Sequence, residues 1–209
     1  MRTVTETGAV ERIALYGGAF DPVHHAHLEV ARRAMEAAKL DEVRFIPAAQ
    51  SPLKDHGPRA CDGARLEMLR LATGGESRFA VDLLEIERGG VSYSLDTARH
   101  FREARPRAEL FWIVGADQFR QLDRWHRVEQ LAGIICFLVL GRPGHSIAAP
   151  PIPGLRYRKV DAPLMEASSS EIRRRCREGK SLNGLVPEAV EAFIRKHHLY
   201  SNDPSQPNA

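Results

Sequence analysis

The chain has 209 residues, of which 43% are hydrophobic and 27% charged, and this suits a soluble globular protein of one domain with a sizeable core. A formal net charge of +3 fits an anionic small-molecule substrate but is too weak to imply nucleic-acid binding, and it supplies no strongly basic surface for a tRNA enzyme. Three widely spaced cysteines, Cys61, Cys136 and Cys176, make neither a disulfide framework nor a CxxC metal site and point to a reducing cytoplasm, while the longest apolar stretch, Ile134 to Leu140, is too short to cross a bilayer.

In chain order, the polar stretches 1–8 and 201–209 read as frayed termini around one domain over 9–200, with no signal peptide at the start. Ile13 to Tyr16 is a compact apolar strand. Leu28, Ala31, Met35 and Ala38 then recur at helical spacing, and Val43 to Ile46 is a second strand stopped by Pro47. A helix over 62–73 is expected through Ala64, Met68 and Leu71, and a third strand from Phe79 to Ile86. A helix follows from Leu95 to Arg105, ended before Pro106, and then two buried strands, Leu110 to Val114 and Ile134 to Leu140. The alternation predicts an α/β fold, a Rossmann-like doubly wound parallel sheet covered on both faces, with a small C-terminal helical subdomain over about 168–200. Ligands of such sheets bind beyond the carboxyl ends of the strands, so the loops after strands carry the information.

The first of these loops, Gly17-Gly18-Ala19-Phe20-Asp21-Pro22-Val23-His24-His25-Ala26-His27-Leu28, runs from the first strand into the first helix. Two glycines let the backbone turn sharply and approach a ligand closely, and a helix start favours phosphate. His24 and His27, three apart, fall on one side of that helix, and each can donate a hydrogen bond to a phosphoryl oxygen. A solvent-exposed turn or a histidine metal site are the alternatives, and no metal ligand is assigned. The loop is neither GxGxxG nor GxxxxGK[ST], which argues against a dehydrogenase and a Walker-type ATPase.

GGAFDPVHHAHL resembles the GGxFDPxHxGH signature of the nucleotidyltransferases related to class I aminoacyl-tRNA synthetases, with Ala26 at the usual glycine. The resemblance implies an ATP site at Gly17, Gly18, Ala19 and Phe20, with His24 and His27 on the phosphates. Ser168-Ser169-Ser170-Glu171-Ile172-Arg173 has the spacing of a helix-capping box, which by itself explains a helix start. It also resembles the ISSTxIR motif of the same family, by which Ser168 and Arg173 approach the triphosphate.

Ser92-Tyr93-Ser94, Gly115-Ala116-Asp117 and Trp125-His126 resemble the SYT, GxD and W-x elements of bacterial nicotinate-nucleotide adenylyltransferases within that family. The resemblance implies Trp125 as a stacking platform for a pyridine ring, Ser94 and the backbone near His126 as a carboxylate site, and Asp117 on ribose or near Mg²⁺. Taken singly, Trp125 reads as a packing residue and Ser94 as a helix N-cap. Lys54, retained where relatives have a PPHK-like sequence but with Leu53 for the histidine, is a candidate phosphate contact or a surface lysine. Leu199-Tyr200 looks like the family's usual ending.

The implied reaction moves AMP from ATP to nicotinate mononucleotide, with Mg²⁺ carried by the ATP phosphates and His24, His27, Lys54 and Arg173 stabilising the transferring group. Its partners are those two small molecules, without nucleic acid or membrane; a homo-oligomer is compatible. The rivals are a sister enzyme using nicotinamide mononucleotide or phosphopantetheine, and a non-catalytic nucleotide-binding module.

Overall fold

The computed structural model describes residues 10–52, 56–141, 147–162 and 167–201. Within these, strands β1 (Arg12–Gly18), β2 (Glu42–Pro47), β3 (Phe79–Val81), β4 (Glu109–Gly115), β5 (Cys136–Gly141) and β6 (Tyr157–Asp161) form one sheet in the order β3-β2-β1-β4-β5-β6. Every neighbouring pair is parallel. The expected doubly wound sheet is therefore the observed one, and the strand order reverses between β1 and β4.

Alternation along the strands sends side chains to two separate cores. Ala14, Val43, Phe45, Phe111, Ile113 and Leu138 pack on one face against helices α1 (His25–Ala38), α2 (Asp62–Thr73), α7 (Ser169–Arg177) and α8 (Glu188–Lys196). Ile13, Leu15, Leu110, Trp112, Val114 and Phe137 pack on the other against α4 (Ser94–Ala104), α5 (Ala116–Phe119) and α6 (Val128–Ile134). Each fully buried large apolar side chain of this kind contributes about 1.5–3 kcal/mol by leaving water. Leu28, Ala31, Ala34, Met35 and Ala38 form the buried face of α1.

Three expectations from the sequence change. The strand expected from Phe79 to Ile86 ends at Val81, because Asp82 Oδ1 accepts the Leu84 amide at 3.0 Å and turns the chain into the short helix α3 (Leu84–Arg88). Leu71, expected on the core face of α2, is exposed; the inward face carries Ala64, Arg65, Met68 and Leu69. The strand expected to begin at Ile134 begins at Cys136, since Ile134 closes α6. Strand β6 gave no sequence signal: on this sheet edge only Val160 is buried.

Candidate active site

A cavity of about 670 Å³ opens beyond the carboxyl ends of β1 and β4, at the reversal of strand order. Its walls include Gly17, Gly18, Ala19 and His27 on one side and Ser92, Ser94, Trp125 and His126 on the other. The two glycines prove to be the end of β1, and their part is close packing rather than turning. A Cβ on Gly17 would stand 2.9 Å from the Trp112 ring, and one on Gly18 3.1 Å from Phe20. The turn itself is made by Phe20, whose φ of 46° lies in the left-handed region.

From that turn the chain enters α1, with His24 as the extended residue capping it. The rings of His24 and His27 stack at 3.7 Å between centroids, as their spacing predicts. The His24 amide donates to His27 Nδ1 at 3.2 Å, so a neutral His27 carries its proton on Nε2. His24 is buried, and burial, with the charge of His25 adding to it, lowers its pKa to about 4. The imidazole is therefore uncharged near neutral pH. The folded state keeps His24 neutral down to about pH 4, whereas the unfolded chain takes up the proton near 6.5. Stability held above the unfolded value is then lost as pH falls through the folded one, by roughly 3 kcal/mol. Thermal melts from neutral pH down to about 4 check this: His24→Gln is expected to lose less stability over that range than the wild type.

Asp21 ties the loop to the rest of the molecule. Its buried carboxylate accepts the amides of Arg59 at 2.7 Å and Ala60 at 3.1 Å, and the Tyr200 hydroxyl at 2.7 Å. Arg173 Nη1 donates to the Asp21 carbonyl at 2.6 Å, and Ser169 Oγ donates to the Pro22 carbonyl at 2.9 Å, so the start of α7 is fixed against the loop. Ser168 caps α7 as expected, its hydroxyl accepting the Glu171 amide at 3.2 Å. The Glu171 carboxylate does not complete a capping box; it pairs with Arg174 and Arg175. On the other flank the fully buried Arg65 donates to the Ala19 carbonyl at 2.8 Å.

Across the cavity, Tyr93 takes the N-cap of α4, so Ser94 is the first helical residue rather than the cap. The Tyr93 and His126 rings lie 4.4 Å apart, bringing the two acceptor-side segments together. Ser92 Oγ accepts the Ala49 amide at 3.0 Å and thereby holds the loop after β2. Trp125 is half-buried. Its ring meets Trp112 and Phe137 edge-on at 6.2 and 6.3 Å, and its Nε1 is a buried donor without a partner among the described residues. It is thus both a packing residue and a cavity wall.

Of the residues singled out from sequence, Gly17, Gly18, Ala19, His27, Ser94, Trp125 and His126 share this cavity. Phe20 and His24 lie directly behind it, packed on His27. Asp117 is exposed and paired with Arg120, and the cavity is lined instead by its neighbour Gln118. Lys54 lies outside the described residues. Sequence reading missed Trp112, Arg65 and Glu85. The last is buried, lines the cavity and accepts the Thr97 hydroxyl at 2.6 Å; burial pushes its carboxyl toward the neutral form, against hydrogen bonds from Thr97 and Ser92. Among the described residues no three of His, Cys, Asp and Glu converge as metal ligands, and no helix is long and apolar enough to cross a membrane.

A family model described as cytidylyltransferase-like matches residues 15–175. A protein of Opitutus terrae named "probable nicotinate-nucleotide adenylyltransferase" is 44% identical over 196 residues, 93% of this chain and 100% of its own length. Relatives with the same name from Thermus thermophilus and Geobacillus kaustophilus are 43% and 39% identical, each over 90% of this chain and over 99% and 86% of their own. Among solved structures, Plasmodium falciparum nicotinic acid mononucleotide adenylyltransferase complexed with NaAD superposes with a TM-score of 0.73 at 19% identity, covering 91% of this chain and 97% of that one. At that identity the likeness speaks for the fold alone. With the signature loop, the capped α7 and this degree of identity over nearly the whole length, the chain belongs to the nicotinate-nucleotide adenylyltransferases of the cytidylyltransferase-like family.

Proposed function

We propose that the protein transfers AMP from ATP to nicotinate mononucleotide, forming nicotinate adenine dinucleotide and pyrophosphate. The observation that carries this reading is one cavity with two unlike walls. The wall at Gly17–Ala19 and His27 has the close backbone and the imidazole that suit a polyphosphate, and the wall at Ser94, Trp125 and His126 has the ring face and helix start that suit a pyridine carboxylate.

In this reading a phosphate oxygen of the mononucleotide attacks the α-phosphorus of ATP in line, and the bond to the bridging oxygen of pyrophosphate breaks. The acceptor phosphate is already an anion near neutral pH, so the protein needs to supply no general base. His24 and His27, stacked and held by the α1 cap, donate to the phosphate oxygens from fixed positions. Arg173, held on the Asp21 carbonyl, adds a permanent charge at the edge of the same loop. Lys54 completes the basic set in this proposal. Mg²⁺ would come with ATP as part of the substrate and would screen the phosphate charges; the loop's one carboxylate, Asp21, already accepts three hydrogen bonds and pairs with Arg173.

Selectivity for the acid over the amide is assigned to the α4 start. A carboxylate there gains from N–H donors and the helix dipole, whereas an amide brings an NH₂ group toward other donors. Glu85, whose carboxyl pKa is raised by burial, lies in the same wall. Two differences of about 1–2 kcal/mol each give a preference on the order of 10- to 1,000-fold. The test is kcat/KM for nicotinate and nicotinamide mononucleotides, followed by pyrophosphate release. Ser94→Ala is expected to shrink the preference several-fold; an unchanged preference would place it in the backbone donors, and preference for the amide would overturn the proposed substrate.

A further inference from the structure

We propose that Tyr200 is a positioning residue for adenylyl transfer, fixing Asp21 and, through it, the loop against which Arg173 and the stacked histidines are set. This rests on the reading of that loop as the ATP phosphate site.

Tyr200 lies 179 positions from Asp21 in sequence, yet its hydroxyl donates to Asp21 Oδ1 at 2.7 Å. The bond is buried at both ends, with Tyr200 6% and Asp21 4% exposed. Burial, and the Asp21 charge beside it, push the phenol pKa far upward, so the group stays a donor throughout the working pH range. The ring packs in the core formed with Ile172, Val190 and Ile194, where a phenylalanine would fit equally well. What the hydroxyl adds is therefore specific to Asp21. The backbone of Tyr200 sits at φ 63°, in the left-handed region that a bulky residue seldom occupies. Such strain persists where surrounding contacts fix the residue in place.

Asp21 can pass that fixation on. Its Oδ2 lies 3.8 Å from Arg173 Nη1, and the same nitrogen donates to the Asp21 carbonyl at 2.6 Å. Three residues further on, His24 begins the cap of α1, and the His25 amide donates to the Leu185 carbonyl at 2.9 Å. The segment from Asp21 to His25 is thus clasped from the C-terminal side at Tyr200, Arg173, Ser169 and Leu185. Of these contacts, those of the Tyr200 and Ser169 hydroxyls can each be removed by a single-atom change, and of the two only Tyr200 acts on the Asp21 carboxylate.

The experiment uses the full chain and compares wild type, Tyr200→Phe, Arg173→Ala and the double variant. It reads MgATP affinity by calorimetry, kcat, both KM values and thermal stability. Tyr200→Phe is expected to weaken MgATP or lower kcat about tenfold with KM for the mononucleotide little changed, and to lower Tm, since the buried Asp21 carboxylate loses a donor. In the Arg173→Ala background the same substitution is expected to cost much less, because both act on one loop. Unchanged MgATP affinity and kcat in Tyr200→Phe would overturn the assignment, as would equal losses for both substrates. Full additivity with Arg173→Ala would overturn the route through that arginine. The calorimetric reading does not depend on the acceptor. A wild type that binds MgATP but makes no nicotinate dinucleotide would count against the proposed function and leave the Tyr200 result to be judged on affinity.

Discussion

His27→Ala is expected to lower kcat by a factor on the order of 10² to 10³, with the fold retained. The imidazole lines the cavity beside Gly17–Ala19, and its Nδ1 is engaged by the His24 amide, which sets both the tautomer and the ring direction. A donor so prearranged acts on charge as it develops without reorganising, and that is where one hydrogen bond contributes most. Alanine also removes the ring on which His24 stacks, so part of the loss comes through His24. His25→Ala is the control, because His25 does not line the cavity and its backbone amide, which bonds Leu185, is unaffected. Steady-state rates with thermal melts check this pair. A His27→Ala protein with wild-type Tm and near wild-type turnover would remove the imidazole from the reaction.

The second large effect is expected at Trp125. Trp125→Ala should raise KM for nicotinate mononucleotide by about tenfold or more while KM for ATP changes little, since an aromatic stack contributes about 1 kcal/mol beyond the apolar area it covers. Its edge contacts with Trp112 and Phe137 mean that alanine also opens a gap in the second core. Trp125→Phe separates the two roles, because it keeps most of the packing and a smaller ring face. The expected order of mononucleotide KM is wild type, Phe, Ala, with Tm falling appreciably only in Ala. Equal losses for both substrates in step with Tm would make Trp125 a packing residue alone.

The parts of this site legible in the sequence are those where local pattern and local function coincide. The β1 strand, the α1 periodicity, the spacing of His24 and His27 and the Ser168 cap all depend on residues within one or two turns of each other, and each is found where the pattern puts it. Long-range partners left no such trace. Arg65 lies on α2 with Asp62 as its local partner, and its bond to the Ala19 carbonyl, 46 positions away, leaves no mark in the local pattern. Glu85 was hidden inside an apparent strand, because Phe79 to Ile86 is apolar enough to conceal the Asp82 turn that starts α3 and faces Glu85 inward. Gly17 looked like a turn glycine; its reason is the Trp112 ring on the neighbouring strand β4. Asp21 stood in plain view within the signature, but its carboxylate gains meaning only from Arg59, Ala60 and Tyr200.

The most direct test of adenylyl transfer is to incubate the protein with Mg²⁺, nicotinate mononucleotide and ATP labelled at the α-phosphorus and identify the products by mass and label. The expected products are nicotinate adenine dinucleotide bearing the labelled phosphorus and unlabelled pyrophosphate in equal amount. Label remaining in ATP, label released as free AMP, or a dinucleotide formed only when nicotinamide mononucleotide is supplied would contradict the proposed function.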